Sequence, residues 1–218
     1  QPDLRHLIEH VACGEEPDWL YLAGPSGSGK THLLLAACAE AGRLEQAATF
    51  IPLLASAGRL QQALGGQAAS ALVCIDGLDA IAGHAEDEVA LFHFHNAARQ
   101  AGARLIYAAR EMPSALPWVL PDLASRLEQC TRLVVEPLDE AGRREVLRGR
   151  AGRRGMELDD AVLDYLFRRV GRDLATLTAL LDRLDRASLA AQRRVTVPFL
   201  RSVLEQGDNS RNNTAPRG

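Results

Sequence analysis

The chain has 218 residues, of which 47% are hydrophobic, and a formal net charge of −3 at pH 7. This length suits one sizeable domain with a small appendage, and the charge gives no overall electrostatic reason to bind nucleic acid or an acidic membrane. No run approaches the roughly 18 to 20 apolar residues that span a bilayer, and no secretory signal opens the sequence. We therefore expect a soluble, cytoplasmic protein.

The first two thirds of the sequence alternate short apolar runs with helical patterns, which is typical of a parallel sheet flanked by helices. Five near-continuous apolar runs are predicted to be strands, at residues 19–23, 48–52, 71–75, 104–108 and 132–135. Helices are predicted at about 30–41, 57–64, 86–101 and 121–128. The fold class is therefore α/β, with a nucleotide-binding domain expected over residues 1–138.

After residue 138 the strand signal stops, and leucines recur at helical spacing. Thr196 and Pro198 mark the predicted start of a last, short helix. We expect a small all-helical lid domain over residues 139–206. The polar segment 207–218 is predicted to be a disordered tail.

The segment between the first strand and the first helix fits the phosphate-binding pattern GxxxxGK[ST]. It reads Gly24-Pro25-Ser26-Gly27-Ser28-Gly29-Lys30-Thr31. Its glycines let backbone N–H groups converge on phosphate oxygens, and the following helix adds the positive end of its dipole. Lys30, the only lysine of the chain, is expected to reach the β- and γ-phosphates, and the Thr31 hydroxyl to help hold Mg²⁺.

The second part of such a site is an acid at the end of another strand. The four apolar residues 72–75 are followed by Asp76, which is expected to bind Mg²⁺ through water. Hydrolysis also needs an acid that orients water, usually the next residue, and here that residue is Gly77, with Asp79 two positions further on. The site is therefore predicted to hold nucleotide rather than to split it efficiently. ATP and ADP both remain open as the working ligand.

Residues 24–34, in which His32-Leu33-Leu34 follows the phosphate loop, resemble the corresponding segment of the DnaA-like branch of the AAA+ ATPases. Residues 92–97 resemble the conserved segment that, in that family, follows the strand ending in the metal-binding acid, here Asp76. Residues 120–127, LPDLASRL, resemble the segment that carries the family's arginine finger, which would be Arg126. Arg172 stands where the family places its sensor II arginine. Within the branch, the most similar group is the Hda family of DnaA-related regulators.

The resemblance implies a regulator of DNA replication initiation. Such a protein binds nucleotide and Mg²⁺ through residues 24–32 and Arg172, between the α/β domain and the lid. It stimulates ATP hydrolysis by the DnaA initiator through Arg126, supplied in trans, and so inhibits further initiation. Its second expected partner is the DNA polymerase sliding clamp, bound through a segment upstream of Gln1. Sequence-specific DNA binding is not expected, and self-association is left open.

Several alternatives remain at this point. Ala109 stands at the sensor I position, where the family has a polar or acidic residue, so intrinsic ATPase activity is expected to be weak or absent. An autonomous ATPase that loads or remodels replication proteins on DNA would require intrinsic turnover. A kinase of a small metabolite would require an acceptor pocket. Arg126 could be a surface arginine balanced by Asp122 or Glu128, and Arg172 a helix cap. The arginine-rich stretch 143–154 could contact DNA phosphates or form a solvated helix face.

Overall fold

The computed structural model describes residues 8, 10, 11, 13, 19–170, 174–191 and 194–212. The chain divides into two compact units, Gln1–Pro137 and Leu138–Gly218. The first unit is built on a β-sheet, and the described part of the second is helical.

A parallel sheet of five strands forms the centre of the first unit. In chain order its strands are β1 (Leu20–Ala23), β2 (Ala48–Pro52), β3 (Leu72–Asp76), β4 (Arg104–Ala109) and β5 (Thr131–Val134). They lie in the order β2-β3-β4-β1-β5, and every neighbouring pair is parallel. The carboxyl ends of all the strands therefore lie at one edge of the sheet, where ligands of such folds bind.

Both faces of this sheet are covered. The accompanying α-helices are α1 (Lys30–Arg43), α2 (Leu60–Leu64), α3 (Ala85–Gln100) and α4 (Pro121–Glu128). Because successive strand residues point to opposite faces, Tyr21 packs in one hydrophobic cluster with Leu91 of α3, whereas Leu22 packs in another with Leu34 of α1. The predicted α/β class, a five-stranded parallel sheet flanked by helices, is confirmed.

The second helix begins later than the sequence predicts. The pattern places its start near residue 57, but α2 begins at Leu60. Gly58 has a φ of 77° and Arg59 a φ of −142°, so neither has helical backbone. The carboxyl group of Asp87 on α3 accepts hydrogen bonds from the N–H groups of Gly58 (2.7 Å) and Leu60 (3.3 Å). A turn held by a distant side chain therefore replaces the predicted first helical turn.

The described part of the second unit consists of helices around a core of its own. They are α5 (Glu140–Gly152), α6 (Asp160–Arg169), α7 (Leu174–Ala191) and α8 (Val197–Asn212). The side chains of Asp139 and Asp159 cap α5 and α6 by accepting the N–H groups of Gly142 (2.7 Å) and Val162 (2.8 Å). Within the described ranges, no helix is long and apolar enough to cross a membrane. The predicted all-helical character of this unit is confirmed.

Helix α8 is longer than the sequence predicts. The pattern gives a short helix and a disordered segment from residue 207, but helical backbone continues to Asn212. Leu200 and Val203 are buried in the core of the unit, and after Pro198 in the first turn no proline occurs before Pro216. Once packing has fixed the first turns, each further residue adds a backbone hydrogen bond at little cost, so the helix extends past Gly207. The rest of the predicted tail, 213–218, lies outside the described residues.

A histidine lies in the core between α3 and the sheet. His95 is 2% exposed, its Nδ1 lies 3.0 Å from the Tyr107 hydroxyl oxygen, and its ring packs edge-on against Trp19. Burial, together with the positive charges of Arg126 and Arg99, lowers the pKa of His95 to about 4. The imidazole is therefore neutral near pH 7 and serves as a core side chain.

Lowering the pH from about 7.5 to about 5 should remove about 2 kcal/mol of unfolding free energy through His95 alone. A histidine whose folded pKa lies below its unfolded value of about 6.5 stabilises the fold above that unfolded pKa. The contribution is lost as the pH falls toward the folded pKa. Chemical denaturation at the two pH values measures the loss, and His95→Phe should show a correspondingly smaller one. Equal losses in the two proteins would contradict the assignment.

Candidate nucleotide-binding site

The phosphate loop leaves β1 at the carboxyl edge of the sheet. The N–H group of Gly24 donates to the carbonyl oxygen of Ala109 at 3.2 Å, which extends the pairing of β1 with β4 by one residue. Gly27 and Gly29 have φ values of 77° and 103°, which are left-handed conformations that favour glycine. Helix α1 begins directly afterwards, at Lys30. The loop therefore has the backbone turn and the helix start that phosphate binding requires.

Gly24 is needed for a reason that the pattern does not state. A Cβ atom at this position would lie 2.2 Å from the carbonyl oxygen of Val135, which follows β5. Backbone cannot yield by that amount without moving the strand. The first glycine of the loop therefore allows the chain after β1 and the chain after β5 to pass in contact.

Lys30 is held over the loop. It is 9% exposed, and its Nζ donates to the carbonyl oxygens of Gly24 (2.5 Å) and Pro25 (2.9 Å) and to Ser28 Oγ (3.3 Å). Burial lowers the pKa of Lys30, while Asp76 and Asp79 act in the opposite direction. Pro25, Ser26, Thr31 and His32 are solvent-exposed. The predicted phosphate-binding residues 24–32 thus form one contiguous group at this edge of the sheet.

Thr31 and Asp76, which are 45 positions apart in sequence, meet beside the loop. The Thr31 hydroxyl donates to Asp76 Oδ2 at 2.5 Å. A hydroxyl and a carboxyl oxygen next to a phosphate loop are the hard donors that Mg²⁺ prefers, and Mg²⁺ keeps several waters as further ligands. The residues present therefore fit the predicted metal, which would be held by Thr31 and by Asp76 through water.

Asp79 is engaged elsewhere. Its Oδ1 accepts the N–H group of Arg110 at 3.0 Å, and its Oδ2 lies 3.1 Å from Arg110 Nε. Gly77, at the position of the usual water-orienting acid, has a φ of 84° and donates its N–H to the carbonyl oxygen of Ala108 at 2.9 Å. Ala109 is buried at the end of β4 and offers only its methyl group. The Asp79–Arg110 pair was not found from the sequence, because a strand-end arginine carries no motif.

Arg126 lies on α4, away from the phosphate loop in sequence. Leu123 and Leu127 of the same helix are fully buried, whereas Arg126 is only partly buried. Among the described residues its guanidinium forms no hydrogen bond or ion pair, so neither Asp122 nor Glu128 balances it. Its positive charge adds to the effect of burial in lowering the pKa of His95.

Two groups of sequence predictions have different outcomes. Arg172, the predicted sensor II arginine, lies outside the described residues. Three arginines of the stretch 143–154 pair with acids of the same unit: Arg144 with Glu140 and Asp164, Arg148 with Asp160, and Arg154 with Asp182. These pairs favour the solvated helix face over contact with DNA phosphates.

Residues 139–204 match the family of the Hda lid domain. Domain III of the Thermotoga maritima replication initiation protein DnaA aligns at a TM-score of 0.74 and 20% identity, covering 94% of this chain and 91% of that one. AMPPCP-bound DnaA from Aquifex aeolicus aligns at 0.60 and 23%, covering 75% of this chain and 54% of that one. The chain has the AAA+ fold of DnaA, with an Hda-type lid. The predicted resemblance to DnaA-like AAA+ proteins is confirmed.

The same AAA+ fold also aligns with the Thermotoga maritima RuvB Holliday junction branch migration motor, at a TM-score of 0.64 and 17% identity. The alignment covers 94% of this chain and 67% of RuvB. The chain spans only about half of the AMPPCP-bound DnaA, with 54% covered. At these low identities, the structural alignments show a shared fold.

Lys30→Ala should weaken binding of both ADP and ATP by about 10- to 100-fold, because a charged hydrogen-bond donor to phosphate is lost. Titration of the purified protein by calorimetry measures the change. Arg43→Ala is the matched control, since Arg43 is exposed at the other end of α1 and pairs with Glu40. Equal affinities for Lys30→Ala and the wild type would exclude this loop as the phosphate site.

Asp76 at the end of β3 and Asp79 after it should respond differently to Mg²⁺. In Asp76→Asn, nucleotide affinity should become nearly independent of Mg²⁺, because an amide binds the hydrated cation more weakly than a carboxylate. In Asp79→Asn the dependence should persist, since Asp79 is committed to Arg110. Paired ADP titrations with Mg²⁺ and with EDTA give the comparison. The reverse pattern would assign the metal to Asp79.

Proposed function

We propose that this protein is a cytoplasmic, nucleotide-binding regulator of DNA replication initiation. In this proposal it stimulates ATP hydrolysis by DnaA through Arg126, acting in trans as an arginine finger, and so inhibits further initiation. It works together with the DNA polymerase sliding clamp, which a segment upstream of Gln1 would bind. Its own nucleotide, ATP or ADP with Mg²⁺, stabilises the form that engages DnaA.

The observation that carries the proposal is the state of Arg126. An arginine finger must present a guanidinium that no acid of its own protein already neutralises, because its task is to meet charge developing on the γ-phosphate. Arg126 is partly buried on a helix held by Leu123 and Leu127, and it forms no ion pair with the described residues. An arginine serving only as a solvated surface charge would gain little from this fixed placement.

The nucleotide site supports the regulatory part of the proposal. The backbone turn at 24–29, the position of Lys30 and the Thr31–Asp76 contact suit a bound nucleotide with Mg²⁺. One structure of this fold is described as a replication initiator DnaA bound to AMPPCP and single-stranded DNA. The Hda-type lid supports the assignment of the chain to the regulators of this group, and Arg172 is the proposed lid residue that closes on the phosphates.

One alternative keeps a specific observation in its favour. The phosphate loop is intact and Asp76 is in place, as an autonomous ATPase that loads or remodels replication proteins would require. Against it stand Gly77 and Ala109, which put no polar or acidic side chain at the two expected positions, and the pairing of Asp79 with Arg110. Turnover by the protein alone, lost in Lys30→Ala, would favour this alternative.

The full-length protein should stimulate ATP hydrolysis by DnaA on clamp-loaded DNA, and Arg126→Ala should remove the stimulation. Where an arginine finger acts, its contribution is about 10³- to 10⁵-fold in rate. Arg126→Lys should also lose most of it, because an ammonium cannot reproduce the planar fork of the guanidinium.

Arg43→Ala, an exposed arginine of α1, should stimulate like the wild type. The assay measures phosphate release by DnaA, with the nucleotide affinity of each variant as a check on folding. Absence of stimulation by the wild type, with nucleotide binding intact, would overturn the proposed function. Full stimulation by Arg126→Ala would overturn the finger.

A further inference from the structure

Two consecutive acids in the first turn of α3 are buried. Asp87 is 5% exposed and Glu88 is 0% exposed. Neither belongs to the phosphate loop or to the finger segment. Burying a carboxyl group is costly unless its oxygens are hydrogen-bonded, so the partners of these two side chains show what they hold in place.

Glu88 binds the chain that leads into α4. Its Oε1 accepts the N–H groups of Gly83 (2.7 Å) and Val119 (3.1 Å), and its Oε2 accepts those of Val119 (2.9 Å) and Leu120 (2.7 Å). Helix α4 begins at the next residue, Pro121, which has no N–H group to offer. One side chain of α3 therefore fixes both the turn before α3 and the entry into α4.

The placement of α4 depends on such attachments. The helix has only 8 residues, too few to be stable in isolation. Leu123 and Leu127 hold its body against the core, and Glu88 holds the two residues that precede it, Val119 and Leu120. Arg126 projects from this same helix, so the direction of its side chain follows from how the helix is held.

We propose that Glu88 is a positioning residue for Arg126. By fixing the start of α4, its carboxyl group sets the direction from which the guanidinium meets the γ-phosphate bound by a partner. The inference rests on the proposed function, because only a finger that acts in trans gives this placement a catalytic consequence.

Asp87 provides a matched control on the neighbouring residue. It is also buried, and among the described residues it too accepts only backbone N–H groups, those of Gly58 and Leu60, which lie at the start of α2. In both Asp87→Asn and Glu88→Gln, one acceptor oxygen becomes an NH₂ donor that faces an N–H donor. The two variants therefore carry the same chemical defect, and only one of them carries it at α4.

The experiment measures stimulation of DnaA by the full-length protein on clamp-loaded DNA, as a function of its concentration. Glu88→Gln should lower the maximal stimulation on the order of 10- to 100-fold, since misplacing a catalytic group by about 1 Å can cost that much. Asp87→Asn should retain the maximum of the wild type.

A hydrogen-exchange measurement gives a readout independent of DnaA. In Glu88→Gln the amides of Val119 and Leu120 should exchange faster while those of Gly58 and Leu60 keep their protection, and Asp87→Asn should show the reverse. If Glu88→Gln does not fold, replacing Leu120 by its α-hydroxy acid removes one of the bound N–H groups with the side chain retained. That variant should show the same loss of maximal stimulation.

The possible results separate the two proposals. If Glu88→Gln stimulates like the wild type, the positioning role is overturned. The same holds if Asp87→Asn loses as much stimulation as Glu88→Gln. In both cases the proposed function stands. Absence of stimulation by the wild type overturns the proposed function, and the positioning role with it.

Discussion

The parallel pairing of β3, β4 and β1 is the constraint on which the site depends. Gly77 and Gly24 extend this pairing beyond the strands, since their N–H groups bind the carbonyl oxygens of Ala108 and Ala109. Three chain segments therefore leave the sheet side by side, at fixed separations. The hydrogen bond of 2.5 Å between Thr31 and Asp76 depends on this arrangement. Thr31 lies at the start of α1 and Asp76 at the end of β3, and the sheet brings these two positions together. Local sequence supplies the groups, and the sheet supplies the distance between them.

The sequence predicts those features whose signal is local. A phosphate loop is recognisable because its glycines, its lysine and the helix that follows are adjacent, and buried parallel strands are recognisable as apolar runs. The contacts of Asp79 with Arg110 and of Glu88 with Val119 each join residues 31 positions apart. Acids in a first helical turn are ordinarily explained by the helix dipole, so nothing in the pattern distinguishes Glu88 as a buried contact. The late start of α2 also depends on a distant contact, because the turn before it is held by Asp87 on α3.

The helical unit shows why charge patterns alone leave alternatives open. The pairing of Arg144 with Glu140 follows from their i,i+4 spacing on one helix, but the contact of 2.5 Å with Asp164 requires two helices to pack. Both pairs are at the surface, where ion pairs add little stability. These pairs instead make the electrostatic potential of the surface less positive, because an arginine beside an acid attracts a phosphate less strongly. In this fold the basic stretch is therefore partly neutralised by acids of its own unit.

The same reasoning gives Arg126 its significance. In a chain with a single lysine, the presence of an arginine says little, and its partners say more. Asp122 is four residues earlier on the same helix, a spacing at which an ion pair can form, yet within the described chain no such pair forms. Burial lowers the pKa of His95, and the positive charge of Arg126 adds to this effect. An arginine without an ion pair keeps its guanidinium available to an anion of a partner. The proposed finger acting in trans requires such an arginine.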